Sequence, residues 1–278
     1  MIGVVDVGGG LRGVYGAAVF DWCLENKISF DYCIGVSAGS ANIASFLAQQ
    51  KGRNKKFYLD YSGRKDYMSF RNLITKGSFL DLEYIYGDAL ANSCGEYPLD
   101  FETMIHSKST FKIVSTNAET GQPIYFDMHD MVQDDYGAIK GSSCVPIAVR
   151  AYKWQGYTLY DGGISDPIPY EKCFEAGCDK VVVVLTRPKD DYRDPKKDEK
   201  SARLLQRKYP NAAVCVQFRA ETYNKELKKA HALEEAGRLL IIAPDDISGL
   251  STLKRDVVAL EGLYQKGLKD AEAIRNFL

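Results

Sequence analysis

The sequence predicts an α/β protein with a mostly parallel sheet that is covered by helices on both faces. Short apolar segments alternate with longer amphipathic ones from the first residue on, an order typical of parallel strands joined by right-handed crossovers. The strand segments are almost continuously apolar, as in "KVVVVLT" at residues 180–186, which indicates burial on both faces. The chain has 278 residues, 45% of them hydrophobic, and this suffices for a sizeable core.

The first 50 residues predict two strands and two helices in alternation. The strands cover residues 1–5 and 30–36, and the helices cover residues 11–25 and 37–50. In the second helix, apolar residues recur at spacings that form one buried face. A glycine-rich loop follows the first strand and a tight turn follows the second, so both lie at the carboxyl edge of one sheet.

The rest of the chain predicts an irregular insertion, further strands and a helical end. The insertion, residues 53–99, holds short helices, loops and many aromatic side chains. Strands are predicted at residues 110–116, 123–127, 157–161, 180–186 and 238–244, and helices near residues 131–140, 201–208, 212–237 and from Thr252. The proline-broken charge run at residues 187–200 predicts a solvated loop. We expect a single domain over residues 1–278, with its motifs in residues 1–185 and a helical part in residues 186–278.

Composition excludes several classes of protein. The net charge is −1, so no basic field favours nucleic acid as a partner. No apolar run approaches the roughly 20 residues of a membrane-spanning helix, and "MIGVVDVGGG" lacks the basic start of a signal peptide. The seven cysteines are scattered through mostly apolar segments, away from the three histidines. This pattern is typical of reduced thiols in a cytoplasmic protein, and we expect neither a metal nor a cofactor.

The first motif is "GGGLRG" at residues 8–13. It satisfies G-x-G-x-x-G between a strand and a helix, which is a dinucleotide-binding fingerprint. Such a site also needs an acidic residue at the end of the second strand to bind a ribose, and "GVSAG" stands there instead. A nucleotide-binding oxidoreductase is therefore the alternative function, and it would be indifferent to the Ser37 hydroxyl. A catalytically silent binding protein is a third hypothesis.

The second motif, "GVSAG" at residues 35–39, satisfies G-x-S-x-G. In this motif the serine lies on a tight strand-to-helix turn that lifts its hydroxyl out of the sheet. The residues two before and two after it approach the backbone too closely for side chains, and Gly35 and Gly39 fill these positions. The turn also places Ser37 at a helix N-terminus, which stabilises negative charge. The motif therefore predicts a nucleophilic serine.

A nucleophilic serine needs an oxyanion hole and a general base. For the hole, the first loop offers the N–H groups of Gly8, Gly9 and Gly10. For the base, the usual residue is histidine, and the chain has His106, His129 and His231. Only His231 comes late enough for the Ser–Asp–His order of α/β-hydrolases, but its surroundings, "KELKKAHALEE", indicate a solvated helix face.

The better candidate for the base is Asp161 in "LYDGG". A predicted strand ends at this residue. Gly162 and Gly163 then permit a turn that directs the carboxylate to the edge where the other two motifs lie. Because an ordinary carboxylate is a weak base at neutral pH, partial burial must raise the pKa of Asp161 if it has this role.

The three motifs, in this order, resemble those of the patatin-like phospholipase family, whose pattern is G-G-G-x-R-G, then G-x-S-x-G, then a distant D-G-G. The segment "SSCVPIAV" also resembles the family's stretch before the aspartate, and the resemblance covers about residues 1–185. It implies a three-layer αβα sandwich with a central, mostly parallel sheet. It also implies a serine acyl hydrolase that cleaves acyl esters of phospholipids, lysophospholipids or glycerides.

The resemblance further implies a role for each candidate residue. Ser37 would attack the ester carbonyl, Asp161 would accept the serine proton, and the glycine loop would hold the oxyanion. Arg12 would fix that loop or add positive potential beside it. The partner would be an acyl lipid, met through transient contact with a membrane surface, and the aromatic insertion would line an acyl pocket, touch the interface or pack as core.

Overall fold

The computed structural model describes residues 1–247 and 249–278. Within them, a mixed, mostly parallel sheet lies between two layers of helices, which confirms the predicted α/β architecture. The strands are β1 (Ile2–Asp6), β2 (Tyr32–Val36), β3 (Thr110–Asn117), β4 (Pro123–Asp127), β5 (Tyr152–Trp154), β6 (Tyr157–Asp161), β7 (Lys180–Val184) and β8 (Leu239–Ile242). The helices are α1 (Val14–Glu25), α2 (Ala38–Leu47), α3 (Arg53–Leu59), α4 (Phe70–Lys76), α5 (Leu82–Tyr86), α6 (Phe101–Ile105), α7 (Gly137–Ser142), α8 (Tyr170–Glu175), α9 (Lys196–Leu205), α10 (Pro210–Glu235), α11 (Val257–Asp270) and α12 (Ala273–Phe277).

The strands follow the order β5-β6-β3-β2-β1-β7-β8, and β4 also pairs with β3. The five strands from β3 to β8 along this order are parallel, whereas β4 and β6 run antiparallel to β3. Val36 is in register with Val114, and Asp161 is in register with Ser115, the next residue of β3. The antiparallel direction of β6 therefore brings Asp161 level with the turn that follows Val36.

Alternate residues of the central strands face opposite helix layers. Val4 and Val182 belong to the apolar cluster that contains α1, α2 and α11, and Val5 and Val183 belong to the cluster that contains α8 and α10. All four side chains are fully buried. Burial on both faces explains why these strands are continuously apolar in sequence.

Two predicted helices begin later than the sequence indicates. The helix expected near residues 131–140 corresponds to α7, which begins only at Gly137. The residues before Met131 form a short 3₁₀ turn capped by Asp127, and Met131 itself is extended. The helix expected from Thr252 corresponds to α11, which begins at Val257. It begins there because the Asp256 side chain accepts the N–H of Ala259 and caps the helix. Local capping by Asp256 sets the start of α11, whereas α7 begins at Gly137 without a side-chain cap.

The charge run at residues 187–200 is only partly a solvated loop, so that prediction is wrong in detail. Its last residues begin α9, where Asp198 is buried and pairs with Arg219 of α10. Arg187 and Arg193, from the same run, line a cleft described below. Burial of these charges depends on partners far away in sequence, which charge patterning alone does not reveal.

Several exposed apolar side chains lie on α4. Phe70 is 75% exposed, Ile74 is 84% exposed and Leu73 is 39% exposed. Among the residues that the structure describes, no helix combines the length and the hydrophobicity needed to cross a bilayer. Five of the cysteines are buried, as expected for core thiols, whereas Cys94 is exposed and Cys215 is half-buried.

Candidate active site

The glycine loop after β1 is held from both sides. Gly8, Gly9 and Gly10 have φ values of 65°, 131° and 59°, a region that side chains disfavour. The buried Asp6 accepts the N–H of Gly8 at 2.8 Å through Oδ1, and the Thr186 hydroxyl donates to the carbonyl of Gly8. The loop is thereby fixed at its first glycine.

These contacts leave two candidate donors for an oxyanion. The N–H of Gly8 is occupied by Asp6, which corrects the sequence-based expectation that all three glycines are free to donate. The N–H groups of Gly9 and Gly10 have no hydrogen-bond acceptor in the described part of the chain, and both residues line the cleft. They remain the candidates for the oxyanion hole.

The turn between β2 and α2 places Ser37 in a strained conformation. Its φ of 55° and ψ of −132° are unusual for a residue with a side chain, and such strain persists only where neighbours enforce it. The Ser37 N–H donates to Ser142 Oγ at 2.8 Å, and that hydroxyl donates in turn to the carbonyl of Val114 at 2.5 Å. Ser142 of α7 thus ties the turn to β3.

The flanking glycines have the steric role that the motif predicts. A Cβ at Gly35 would lie 2.5 Å from the Cα of Ser40, and a Cβ at Gly39 would lie 2.2 Å from the carbonyl oxygen of Asp6. A Cβ at Gly162 would similarly meet the backbone of β3 at 2.3 Å. Because backbone atoms cannot yield, none of these positions accommodates a side chain.

Asp161 lies at the end of β6 and is buried. Its Oδ1 accepts the N–H of Gly163 at 2.8 Å. Burial raises the pKa of Asp161, while the nearby Ser37 hydroxyl and the hydrogen bond from the Gly163 N–H lower it in part. The net direction is upward, which is the direction that the sequence argument requires of a general base.

A cleft of about 210 Å³ brings the predicted residues together. Its lining includes Gly9, Gly10, Arg12, Ser37, Asp161 and Gly163. The three histidines are not among the described lining residues: His106 and His129 are exposed on the surface, and His231 contacts the carbonyl of Lys189. The geometry therefore favours Asp161 over histidine as the partner of Ser37.

An apolar chamber with a volume of about 30 Å³ also borders Ser37. It is lined mainly by the aromatic insertion, through Tyr58, Tyr67, Leu80, Leu82, Ile85 and Tyr86. Other aromatic residues of the insertion, such as Phe57 and Tyr61, are buried as ordinary core. The insertion thus both lines a chamber beside the serine and packs as core.

Comparison with models of known families shows to which family the chain belongs. Residues 7–174 match the model of the patatin-like phospholipase family. The chain belongs to that family. Residues 209–276 of this patatin-like chain match a second model, a domain of unknown function (DUF6363), so its C-terminal helices carry a recognisable pattern of their own.

Two proteins that are similar to this chain are both longer than it. It is 27% identical over 209 residues to the uncharacterized protein YjjU of Escherichia coli, with 73% of this chain and 57% of that protein covered. It also resembles the crystal structure of VipD from Legionella pneumophila, with a TM-score of 0.51 and 13% identity over 99% of this chain and 66% of the other. At that identity, the second likeness concerns the fold alone.

Sequence reasoning missed several residues of this patatin-like site. Asp6 fixes the glycine loop, Ser142 fixes the nucleophile turn, and Arg193 and Arg219 line the cleft. Asp6 lies two residues before the loop motif, and Ser142 lies in the small-residue segment, so each had a weak signal. The two arginines lie in a charged region without any motif and had none.

Proposed function

We propose that this patatin-like protein is a serine acyl hydrolase that cleaves acyl esters of lipids, with Ser37 as nucleophile and Asp161 as general base. The observation that carries the proposal is that the strained Ser37 and the buried Asp161 line the same cleft. The free N–H groups of Gly9 and Gly10 in the same cleft support it, since acyl transfer needs donors where the carbonyl oxygen becomes negative.

The reaction then proceeds in two halves. Asp161 accepts the Ser37 proton while Oγ attacks the ester carbonyl, and the resulting oxyanion is held by the N–H groups of Gly9 and Gly10. The tetrahedral intermediate collapses to an acyl-serine, and the departing alcohol takes the proton from Asp161. Water then attacks the acyl-serine with Asp161 again as base, which releases the fatty acid and restores the Ser37 hydroxyl.

We propose that the acyl chain enters the apolar chamber, which widens from about 30 Å³ to admit it, and that the enzyme meets lipid through α4. Tyr67 and Leu80, which precede and follow α4 in sequence, line the chamber. The ring of the exposed Phe70 lies 5.5 Å from that of Phe79, the residue before Leu80. Contact of this apolar face with a membrane surface would remove it from water and bring lipid to the chamber. This contact would be peripheral.

The dinucleotide alternative has less support. The end of β2, where an acidic residue would bind a ribose, is occupied by the Ser37 turn, and the N–H of Gly8 is engaged by Asp6. If the glycine loop nevertheless bound a nicotinamide cofactor, titration with the cofactor would give saturable binding that Ser37→Ala leaves unchanged.

A fluorophosphonate probe tests the hydrolase proposal, because it reacts covalently with activated serines. We expect labelling of the wild-type protein, none of Ser37→Ala, and labelling slowed at least about 100-fold in Asp161→Asn, in line with the usual contribution of a general base. Asp66→Asn is the matched control, since this carboxylate is exposed and remote from the cleft lining. A folded wild-type protein that resists the probe, or label on another serine, would refute the proposal.

A further inference from the structure

Four arginine side chains line the cleft beside Ser37. Arg12 follows the glycine loop, Arg187 and Arg193 lie between β7 and α9, and Arg219 lies in α10. All except Arg12 come from beyond residue 174, outside the patatin-like match. Guanidinium groups gathered in one cleft raise its electrostatic potential and favour an anionic ligand.

Two of these arginines are neutralised by nearby carboxylates. Arg187 Nη2 lies 2.7 Å from Asp191 Oδ2, and Arg219 Nε donates to Asp198 Oδ2 at 3.2 Å. Asp198 is itself buried. These pairs hold two of the four side chains in place and leave Arg12 and Arg193 as the two without a salt bridge in the described part of the chain.

Arg12 and Arg193 form no salt bridge with any carboxylate among residues 1–247 and 249–278. Arg12 Nε is buried without a hydrogen-bond partner, and the Arg193 guanidinium lies 5.4 Å from the ring centroid of Tyr223. Burial, with a neighbouring arginine in each case, lowers the pKa of both to about 10, so both stay charged at neutral pH. A mostly buried cation without a carboxylate partner is costly, and a bound anion would offset that cost.

Ser37 lies where this basic cleft meets the apolar chamber. Gly10, Ser37, Val145 and Leu253 line both spaces. The chamber therefore offers aromatic and aliphatic surface beside the serine, and the cleft offers two guanidinium groups without a salt bridge among the described residues. An ester that fits both sides must join an acyl chain to a negatively charged group.

We propose that Arg12 and Arg193 form a phosphate-binding subsite that receives the head group of an anionic acyl phospholipid or lysophospholipid while its ester lies at Ser37. This inference rests on the proposed hydrolase function and assigns its substrate class. Guanidinium groups suit this task because their planar donors bind phosphate oxygens in pairs. The phosphate takes no part in bond cleavage and serves to position the lipid.

The test compares two soluble lipids with the same short acyl chain, 1-acylglycerol 3-phosphate and 1-monoacylglycerol. We expect the wild-type kcat/KM to be at least 10-fold higher for the phosphate-bearing lipid. Arg193→Gln and Arg12→Gln should each lower the ratio of the two kcat/KM values by about 10- to 100-fold, as expected for lost hydrogen bonds to a charged group. Arg193→Lys should lower it less, because it keeps the charge and loses only the paired donors.

Arg203→Gln is the matched control, since this side chain is 80% exposed on α9, pairs with Glu199 and does not belong to the cleft lining that the structure describes. Equal kcat/KM values for the two lipids, with probe labelling intact, would overturn the subsite and leave the hydrolase standing. Absence of labelling and of all hydrolysis would instead overturn the proposed function. Calorimetry on Ser37→Ala separates the phosphate sources: binding of inorganic phosphate without any lipid preference would indicate a free-phosphate site and overturn the head-group assignment.

Discussion

At the residue scale, the chemistry of the site depends on how Asp161 balances burial against hydrogen bonding. Burial disfavours its charged form, while the Ser37 hydroxyl and the Gly163 N–H stabilise that form. Because burial is the larger effect, the pKa rises above the usual carboxylate value of about 3.9. A base with a raised pKa accepts a proton from serine more readily at neutral pH.

This balance predicts the pH dependence of the reaction. The base acts when deprotonated, so kcat/KM for a soluble ester such as p-nitrophenyl butyrate should rise with pH through the raised pKa of Asp161 and then level off. We expect no further limb near pH 6.5, where a histidine would titrate. A limb near pH 6.5 that disappears in His231→Ala would contradict the assignment of Asp161, and His106→Ala serves as the exposed control.

The buried Asp6 predicts how the free energy of unfolding changes with pH. Burial raises its pKa to about 6, although the hydrogen bonds from Asn42 and Gly8 oppose this effect. A carboxyl group with a raised pKa in the folded state stabilises most when protonated, so its contribution is full below about pH 4 and is lost as the pH rises through about 6. Across this pH range the contribution of Asp6 to the free energy of unfolding falls by on the order of 3 kcal/mol.

Urea unfolding of the wild type and of Asp6→Asn, measured from pH 4 to pH 8, isolates this contribution. The asparagine variant cannot titrate at this position, so the wild-type free energy of unfolding minus that of the variant should fall across the range. A difference that stays constant with pH would show that Asp6 does not titrate there.

At the scale of elements, the nucleophile turn depends on the close approach of β1, β2 and α2. The carbonyl of Asp6 lies where a side chain at Gly39 would be, and Ser40 lies against Gly35. Ser142 of α7 completes the arrangement by accepting the Ser37 N–H. Four elements thus fix one strained residue, and its strain is sustained by their packing.

Gly39→Ala should therefore destabilise the protein by roughly 3 kcal/mol and abolish probe labelling, because the new Cβ meets backbone that cannot move aside. Gly262→Ala in α11 is the matched control: this glycine is exposed, helical and free of close contacts. It should raise stability by about 0.4–1 kcal/mol and leave labelling unchanged. Thermal and urea unfolding measure both, and equal behaviour of the two variants would contradict the steric account.

At the scale of the whole molecule, the two matched segments contribute different parts of the site. Residues 7–174 supply the glycine loop, Ser37 and Asp161, whereas residues 209–276 supply Arg219 and the α11 helix that packs on α1. Strand β8 of the second segment extends the same sheet through β7. That residues 1–278 fold as a single domain stays a prediction.

The exposed face of α4 gives a prediction about lipid surfaces. Replacing Phe70 and Ile74 together by serine should lower the ratio of activity on phospholipid vesicles to activity on p-nitrophenyl butyrate by about 10-fold or more, since each side chain buried in lipid contributes roughly 1.5–3 kcal/mol. Val258→Ser is the matched control, because Val258 is as exposed as Ile74 at 84% but lies on α11. A ratio that falls equally in the control would refute α4 as the contact surface.

Much of the fold and the core of the site could be predicted from the sequence because both depend on local chemistry. Continuous apolar strands reveal a sheet buried on both faces, and glycines at residues 35 and 39 are required wherever a serine turn packs against its neighbours. The order of the three motifs predicted that Ser37 and Asp161 lie together, and the structure places both in one cleft.

Only the tertiary structure decided which groups are free to act. The N–H of Gly8 is lost as a donor because Asp6 folds back onto it, whereas those of Gly9 and Gly10 stay open. Arg193 belongs to a run that is hydrophilic in sequence, and it borders the cleft because α9 and α10 pack beside the sheet. Sequence determines which chemical groups are present and their local conformation, but hydrogen-bond partners and charge compensation come from residues distant in the chain.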